Sequence, residues 1–262
     1  ANIFKLHSFN QDAYLAQSPQ FYKQTCVAFF DRVFEIAPVY RAEKHNTSRH
    51  LNEYIGLDFE MAYINSMVDV MEMETAMIKY VIEYLRSHCQ NYLEMLDVKL
   101  PQIDTIPSIT FMEALDFMKD RGAKNKYDLE PEDEIFLCNY AKEHWGSEFL
   151  FITHFPASKR PFYAMNDRED NRFALSFDLL FRGLEITTGG QRIHDYNEQV
   201  SKMKEMGMDP DDFKSYLSIH KYGMPPHGGL GIGLERFVMK LLDLQNVREA
   251  SMFPRDVHRL EP

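Results

Sequence analysis

Val33–Ala62 reads VFEIAPVYRAEKHNTSRHLNEYIGLDFEMA, two stretches of strand-like alternation separated by a polar segment. Successive side chains of a strand point to opposite faces, so Glu35, Arg41 and Glu43 share one side of the first stretch. Tyr54, Asp58 and Glu60 share one side of the second, with Ile55, Leu57, Phe59 and Met61 opposite. The apolar side is expected to be the buried one. Lys44 to Asn52 carries Lys44, His45, Arg49 and His50, which makes the whole a long-looped antiparallel hairpin with a charged working surface. Carboxylates and an arginine on one face, beneath a basic loop, suit an anionic substrate that also carries an amine.

Upstream of the hairpin, Ile3–Leu6 and Tyr14–Gln17 read as short strands. Ser18-Pro19 then sets a cap residue before a proline at the first helical position, so a helix should start there. Gln20 and Lys23 share a face of it, and Phe21, Tyr22, Cys26, Phe29 and Phe30 supply apolar surface. Lys23 in the first turn opposes the helix dipole, which favours an anion as its partner. Downstream, Met67, Val70, Met71, Met77, Ile78, Val81, Ile82 and Leu85 recur at helical spacing. They make Ser66 to about Gln90 a long amphipathic helix with Ser66 and Asp69 as its capping pair and methionines as core filler.

Ile109 to Phe155 reads as two short helices, MEALDFMKDRG and EDEIFLCNYAKEHWG, joined by a polar linker, Lys124–Pro131, and followed by a strand, EFLFITHF. It holds no catalytic cluster. Phe173–Ile186 is a strand-like run in which Gly183 is expected to mark a bulge. The run leads into LEITTGGQRIH, where Glu185 and Thr188 lie near the strand end, two glycines permit close approach of a ligand, and Arg192 follows. A helix over about Pro210–His220 precedes a glycine-rich turn, His227-Gly228-Gly229, and then GIGLERFVMKLLDL with Arg236; a turn of that kind leading into a helix is a general anion site.

At 262 residues, 45% hydrophobic and 26% charged, the chain can bury the core of one large domain or of one domain with an insertion. A net charge of -11 argues against a generally basic nucleic-acid surface and leaves local patches such as Arg248, Arg255, His258 and Arg259. Cys26, Cys89 and Cys138 are widely spaced without a CxxC pair, which points to a reducing compartment and no structural zinc. No apolar run approaches the ~20 residues of a membrane span, and Ala1–Asn10 lacks a basic start with an apolar core, so a cytoplasmic protein is expected.

The hairpin segment YRAEKHNTSRHLNE resembles motif 2 of the class II aminoacyl-tRNA synthetases, and the glycine-rich stretch with Arg236 resembles motif 3. QSPQFYKQ, LEITTGGQRIH and the ending NVREASMFPRD narrow the resemblance to aspartyl enzymes of the archaeal and eukaryotic type. The implied fold is α+β, the class II synthetase catalytic fold, with an antiparallel β-sheet flanked by helices; the glycines do not follow Rossmann or P-loop spacing. The resemblance makes 1–262 one catalytic domain with a family-type insertion at about 100–160. In that family an anticodon-binding domain and motif 1 precede this point. Neither is in the sequence, so a fragment of a homodimeric protein is expected.

The implied reaction is ATP-dependent, Mg²⁺-assisted activation of L-aspartate to aspartyl-adenylate, then transfer to tRNA(Asp). By resemblance Arg41 and Arg236 are catalytic: Arg41 holds the α-phosphate, while Tyr54 stacks on adenine with Arg236 on its other face. Glu43 reads the adenine side, and Arg49 with His50 reaches towards the outer phosphates. Ser18, Gln20 and Lys23 border the amino-acid pocket, Asp58 takes the α-ammonium, and Arg192 grips the side-chain carboxylate, on which Lys23 converges. Glu185 and Thr188 hold the metal; the family often has Ser at the latter position. The alternatives are an asparaginyl enzyme, disfavoured by Lys23, a related asparagine synthetase releasing its adenylate to ammonia, and a non-catalytic paralogue.

Overall fold

The computed structural model describes residues 2–121 and 125–261; Lys124, the expected start of the polar linker, lies outside them. Two short strands, β1 (Lys5–Ser8) and β2 (Gln11–Tyr14), form a separate hairpin that only partly overlaps the strands expected there. Helix α1 (Gln20–Cys26) begins one residue after Pro19, and the Ser18 hydroxyl accepts from the Gln20 amide at 3.1 Å. The central hairpin forms as its alternation requires: β3 (Arg32–Tyr40) and β4 (Glu53–Ala62) pair antiparallel, with Tyr40 opposite Glu53 and Arg32 opposite Met61. Arg41 and Glu43 thus lie beyond the strand, in the loop.

Helix α2 (Met67–His88) carries the expected capping box from Ser66 and Asp69, and α3 (Gln90–Met95) follows it. The segment expected to pack beside the core as an insertion instead supplies two strands of the sheet, β5 (Ser108–Thr110) and β6 (Phe149–Thr153). Between them lie α4 (Phe111–Phe117) and α5 (Pro131–Trp145). The remaining elements are β7 (Ser176–Phe181), β8 (Leu184–Gln191), α6 (Tyr196–Glu205), α7 (Lys214–Tyr222), β9 (His227–Gly233) and α8 (Leu234–Leu241). Helix α6 was not foreseen, and the helix expected from Pro210 opens as a 3-10 turn, Pro210–Phe213.

The seven-stranded sheet has the order β3-β4-β9-β8-β7-β6-β5 and is antiparallel except for the β5–β6 edge pair. One face is apolar throughout its middle. Phe59 and Met61 of β4, Leu230 and Ile232 of β9, Ile186 of β8 and Phe177, Leu179 and Phe181 of β7 pack there with Val70, Met71 and Ile78 of α2. The opposite face divides. At the β6 end Leu150, Ile152 and Leu180 are covered by α4 and α5 through Phe111, Leu137 and Ala141. At the β4 end the face is polar yet also buried, since Asp58 is 7% and Glu60 0% exposed. The expectation that only the apolar side of the hairpin is buried therefore fails at its inner end.

Two glycine expectations also change. Gly183 marks no bulge: with Arg182 at φ 46° and Gly183 at φ 79°, the pair forms the two-residue turn that splits the expected Phe173–Ile186 run into β7 and β8. The bulge lies just beyond, where Leu179 pairs with Thr187 and Leu180 with Glu185, leaving Ile186 as the extra residue. The glycine-rich stretch before Arg236 is not a turn but β9, a central strand. Its Gly229 lies opposite Glu60 and its Gly231 opposite Asp58. A Cβ on Gly229 would stand 2.2 Å from Glu60 Oε2 and 2.2 Å from the Phe59 carbonyl, and one on Gly231 2.8 Å from Asp58 Oδ1. These glycines leave room for two carboxylates. Gly229→Ala is accordingly expected to cost at least ~3 kcal/mol of stability, the upper end of overpacking, because a backbone atom blocks relief; urea unfolding of the variant measures it.

Candidate active site

Helix α1 turns its polar side inward. Gln20, Lys23 and Gln24 are buried, whereas Phe21, Tyr22, Phe29 and Phe30, expected to be the packing surface, are exposed. The reason is electrostatic: Lys23 Nζ reaches Asp58 Oδ1 at 2.9 Å, Glu60 Oε2 at 3.4 Å and the Leu230 carbonyl at 2.7 Å. Arg192 meets the same carboxylate from the other side, Nε to Glu60 Oε1 at 2.8 Å, while its Nη2 donates to the Gly229 carbonyl at 2.8 Å. Its guanidinium carbon lies 5.3 Å from the Tyr163 ring centroid. Lys23 and Arg192 do converge, but on Glu60. The two cations form a balanced quartet with Asp58 and Glu60. Burial works to raise the Glu60 carboxyl, yet Arg192 and Lys23 together hold it below its ordinary 4.5.

The loop between β3 and β4 forms the opposite end of the pocket. Asn52 closes it, its Nδ2 donating to the carbonyls of Arg41 at 2.6 Å and Glu43 at 3.0 Å. The Arg41 guanidinium stands 5.5 Å from the Tyr54 ring centroid, and its buried Nε has no protein acceptor. His50 pairs with the Thr47 hydroxyl at 2.6 Å; burial, then the nearby Arg236, lowers its pKa and keeps the ring neutral at pH 7. From α8, Arg236 donates to the carbonyls of Arg49 at 3.3 Å and Glu185 at 3.1 Å. Glu235 accepts from the Ile55 amide, fixing α8 against β4.

The bulge at Ile186 organises the third corner. Residues three apart in a regular strand face opposite ways, but here Thr188 Oγ1 donates to Glu185 Oε1 at 2.8 Å. Asp178 of β7 pairs with Thr188 across the ladder and is gripped by Arg160 through both oxygens, at 3.1 and 2.8 Å. Burial, with Glu185 adding to it, raises the Asp178 carboxyl to about 6 against the pull of Arg160. Among the described residues, no three His, Cys, Asp or Glu form a metal cluster. Gly189 lines the pocket, and both glycines also have a packing reason. A Cβ on Gly189 would strike Phe177 at 2.4 Å, and one on Gly190 the Leu175 carbonyl at 2.6 Å.

Ser18, Gln20, Lys23, Arg41, Glu43, Arg49, His50, Tyr54, Asp58, Glu185, Thr188, Arg192 and Arg236 all line this one pocket. Sequence reasoning placed Glu60 on the charged face of the hairpin without a partner and assigned no role to Tyr163, Arg160 or Asp178, although the lone acid in SFDLLF was a signal. Glu134 of α5 was assigned no chemistry, yet it is buried, and its Oε2 accepts from Arg49 Nη2 and from the Glu185 amide at 2.8 Å. Burial pushes its carboxyl up to about 7 against the pull of Arg49. Two of the arginines expected in a basic patch, Arg248 and Arg255, also make contacts within the fold, while His258 and Arg259 are exposed. Arg248 binds Asp256 at 2.6 Å and the Thr47 carbonyl at 3.0 Å, and Arg255 binds Glu53 at 3.0 Å, so the tail braces the loop.

Because the folded pKa of Glu60 lies below its ordinary value, its contribution is present above pH ~4.5 and fades as pH falls through the depressed value. Glu60→Gln should cost ~3–5 kcal/mol at pH 7, as expected when two buried cations lose their partner. Urea unfolding at pH 7 and pH 4 should show the gap to the parent shrinking at the lower pH.

The family model for tRNA synthetases class II (D, K and N) matches residues 1–257. Among curated relatives, an aspartate–tRNA(Asp/Asn) ligase of Thermus thermophilus is 49% identical over the whole of this chain and 62% of its own length. An aspartate–tRNA(Asp) ligase of Pyrococcus horikoshii is 44% identical over 99% of this chain and 60% of its own. The chain thus spans about 60% of these relatives. Among solved structures, the aspartyl-tRNA synthetase of Entamoeba histolytica superposes with a TM-score of 0.91 at 36% identity, covering 95% of this chain and 53% of that one. The asparaginyl-tRNA synthetase of Pyrococcus horikoshii, complexed with asparaginyl-adenylate, gives 0.92 at 32% identity, covering 100% of this chain and 61% of that one. With motif-bearing strands, pocket and whole-chain similarity in agreement, this chain belongs to the class II tRNA synthetase family of the D, K and N enzymes.

Proposed function

We propose that this chain is the catalytic core of an aspartate–tRNA ligase, which uses ATP to convert L-aspartate to aspartyl-adenylate and then transfers the aspartyl group to tRNA(Asp). The observation that carries the reading is the grip of Lys23 and Arg192 on Glu60, in the pocket that Arg41 and Arg236 also line. Lys23, Arg192, Asp58 and Glu60 sum to zero charge. Setting aside the α-carboxylate, which faces the phosphate and is common to both amino acids, aspartate brings an ammonium to Asp58 and a side-chain carboxylate to Lys23 and Arg192, so the sum stays at zero. Asparagine brings the ammonium without the carboxylate and leaves buried charge in excess, which argues against the asparaginyl alternative.

The chemistry is in-line displacement. An oxygen of the α-carboxylate attacks the α-phosphorus, a carboxyl–phosphate bond forms, and the bond to pyrophosphate breaks. No side chain serves as nucleophile; the pocket aligns two anions and offsets charge growing on the phosphate. Arg41, already oriented over Tyr54 with its Nε free, meets that charge, Arg49 with His50 serves the outer phosphates, and Arg236 faces Tyr54 across the adenine. Glu185 and Thr188 present adjacent oxygen donors, a set that fits a hard cation such as Mg²⁺. When bound with ATP, that ion supplies further neutralisation of phosphate charge. The family resemblance implies a cytoplasmic homodimer. Separately, no helix of the described residues is long and apolar enough to cross a membrane. Support for the dimer comes from the edge strand β3, whose Phe34 and Ile36 are exposed.

The test is amino-acid-dependent exchange of pyrophosphate into ATP by the full-length gene product. Aspartate should drive it, and asparagine should be weaker by roughly 10⁴-fold or more, the discrimination available to a site built on polar partners. Arg41→Ala should lower the aspartate rate ~100-fold, the usual cost of removing one donor aimed at developing charge. Exchange driven equally by both amino acids would refute the aspartate reading.

A further inference from the structure

We propose that Glu134, on the first turn of α5, is a positioning residue that holds Arg49 ready for the phosphates of ATP. The inference rests on the function proposed above and extends it to a helix outside the family motifs. Four residues close a ring. Glu134 Oε2 accepts from Arg49 Nη2 and from the Glu185 amide, while Arg236 donates to the Arg49 carbonyl and to the Glu185 carbonyl. The ring joins the β3–β4 loop, α5, β8 and α8, and Glu134 is separated from Arg49 by 85 residues and from Glu185 by 51.

The placement of α5 is itself fixed. Glu130 and Asp133 form its capping box and Pro131 occupies its first turn. The β7–β8 turn presses against it at Gly183, where a Cβ would come within 3.2 Å of the Ile135 backbone. Glu134 therefore points at the pocket wall from a rigid base.

Arginine on a loop samples many rotamers, and a ligand that must order it binds more weakly than one that finds it ordered. Glu134 restrains one end of the guanidinium. Arg49 Nε remains buried without a protein acceptor. A phosphate oxygen is the chemistry that such a donor awaits, since an arginine fork and a phosphate match in geometry and charge. Glu134 touches no substrate and acts through Arg49.

The experiment compares the full-length parent, Glu134→Gln, Arg49→Ala and the double variant. Steady-state pyrophosphate exchange is read together with equilibrium ATP binding by calorimetry. Glutamine retains an acceptor for the Glu185 amide, so folding should survive, and a melting curve checks it. The expected result is a rise of about tenfold in the ATP KM and in the ATP dissociation constant, with the aspartate KM within twofold of the parent. The double variant should be no worse than Arg49→Ala alone, because both changes remove one interaction. Equal shifts in both KM values, no shift in either, or multiplicative losses in the double variant would overturn the proposal. A parent that binds ATP but performs no aspartate-dependent exchange would instead overturn the functional reading, and the calorimetric comparison would still decide the role of Glu134.

Discussion

Glu60 is a carboxylate with no access to water, and the geometry around it follows from that fact. An isolated charge in such a place is costly, so it must be met from several directions. Arg192 comes from the end of β8, Lys23 from α1, and β9 passes close by only because Gly229 has no side chain. One ion cluster thereby sets the depth of α1, the composition of a central strand and the position of the arginine at the pocket floor. Clusters of this kind contribute little net stability compared with apolar packing, and their value lies in fixing one arrangement; for this chain that arrangement is the pocket end built around Lys23, Asp58 and Arg192.

The sheet separates two kinds of requirement. On its apolar face, α2 and the phenylalanines of β6 and β7 pack by size and shape, and the residues there are ordinary core residues. On the polar face, each strand brings groups that must be kept apart from apolar neighbours and close to one another. The bulge at Ile186 is where these requirements conflict. Without the extra residue, Glu185 and Thr188 could not share a face while Thr187 turned to the core side, where its hydroxyl meets buried Glu74 at 2.6 Å.

Much of this was legible in the sequence, because the hairpin and the long helix announce themselves by period: alternation over Val33–Ala62 and helical spacing from Met67 to Leu85. The pocket residues were legible for a different reason, the resemblance of QSPQFYKQ, YRAEKHNTSRHLNE and LEITTGGQRIH to family motifs. What failed did so where tertiary partners override local pattern. The inverted orientation of α1 cannot be read without knowing that Asp58 and Glu60 await Lys23. His227 to Gly229 reads as a turn and Gly231 to Gly233 as the start of a helix because glycine is common in turns; only the facing carboxylates explain the stretch as a strand. Glu134 sits in an acidic helix start like many others, and nothing local distinguishes it from Glu132 or Asp133.

The bracing of the β3–β4 loop by the tail has a consequence for the order in which the protein is built. Glu53 and its partner Arg255 are 202 residues apart, and the Thr47 carbonyl waits for Arg248 across a similar span. At ribosomal speeds of about 5–20 residues per second, the loop emerges roughly 10–40 seconds before the segment that fastens it. Through that interval β3 and β4 can pair, since their contact is local, but the loop end of the pocket stays unfastened. The ion cluster around Glu60 and the middle of the sheet both wait for β9, and the loop end of the pocket is fastened after them, once Arg248 and Arg255 have emerged.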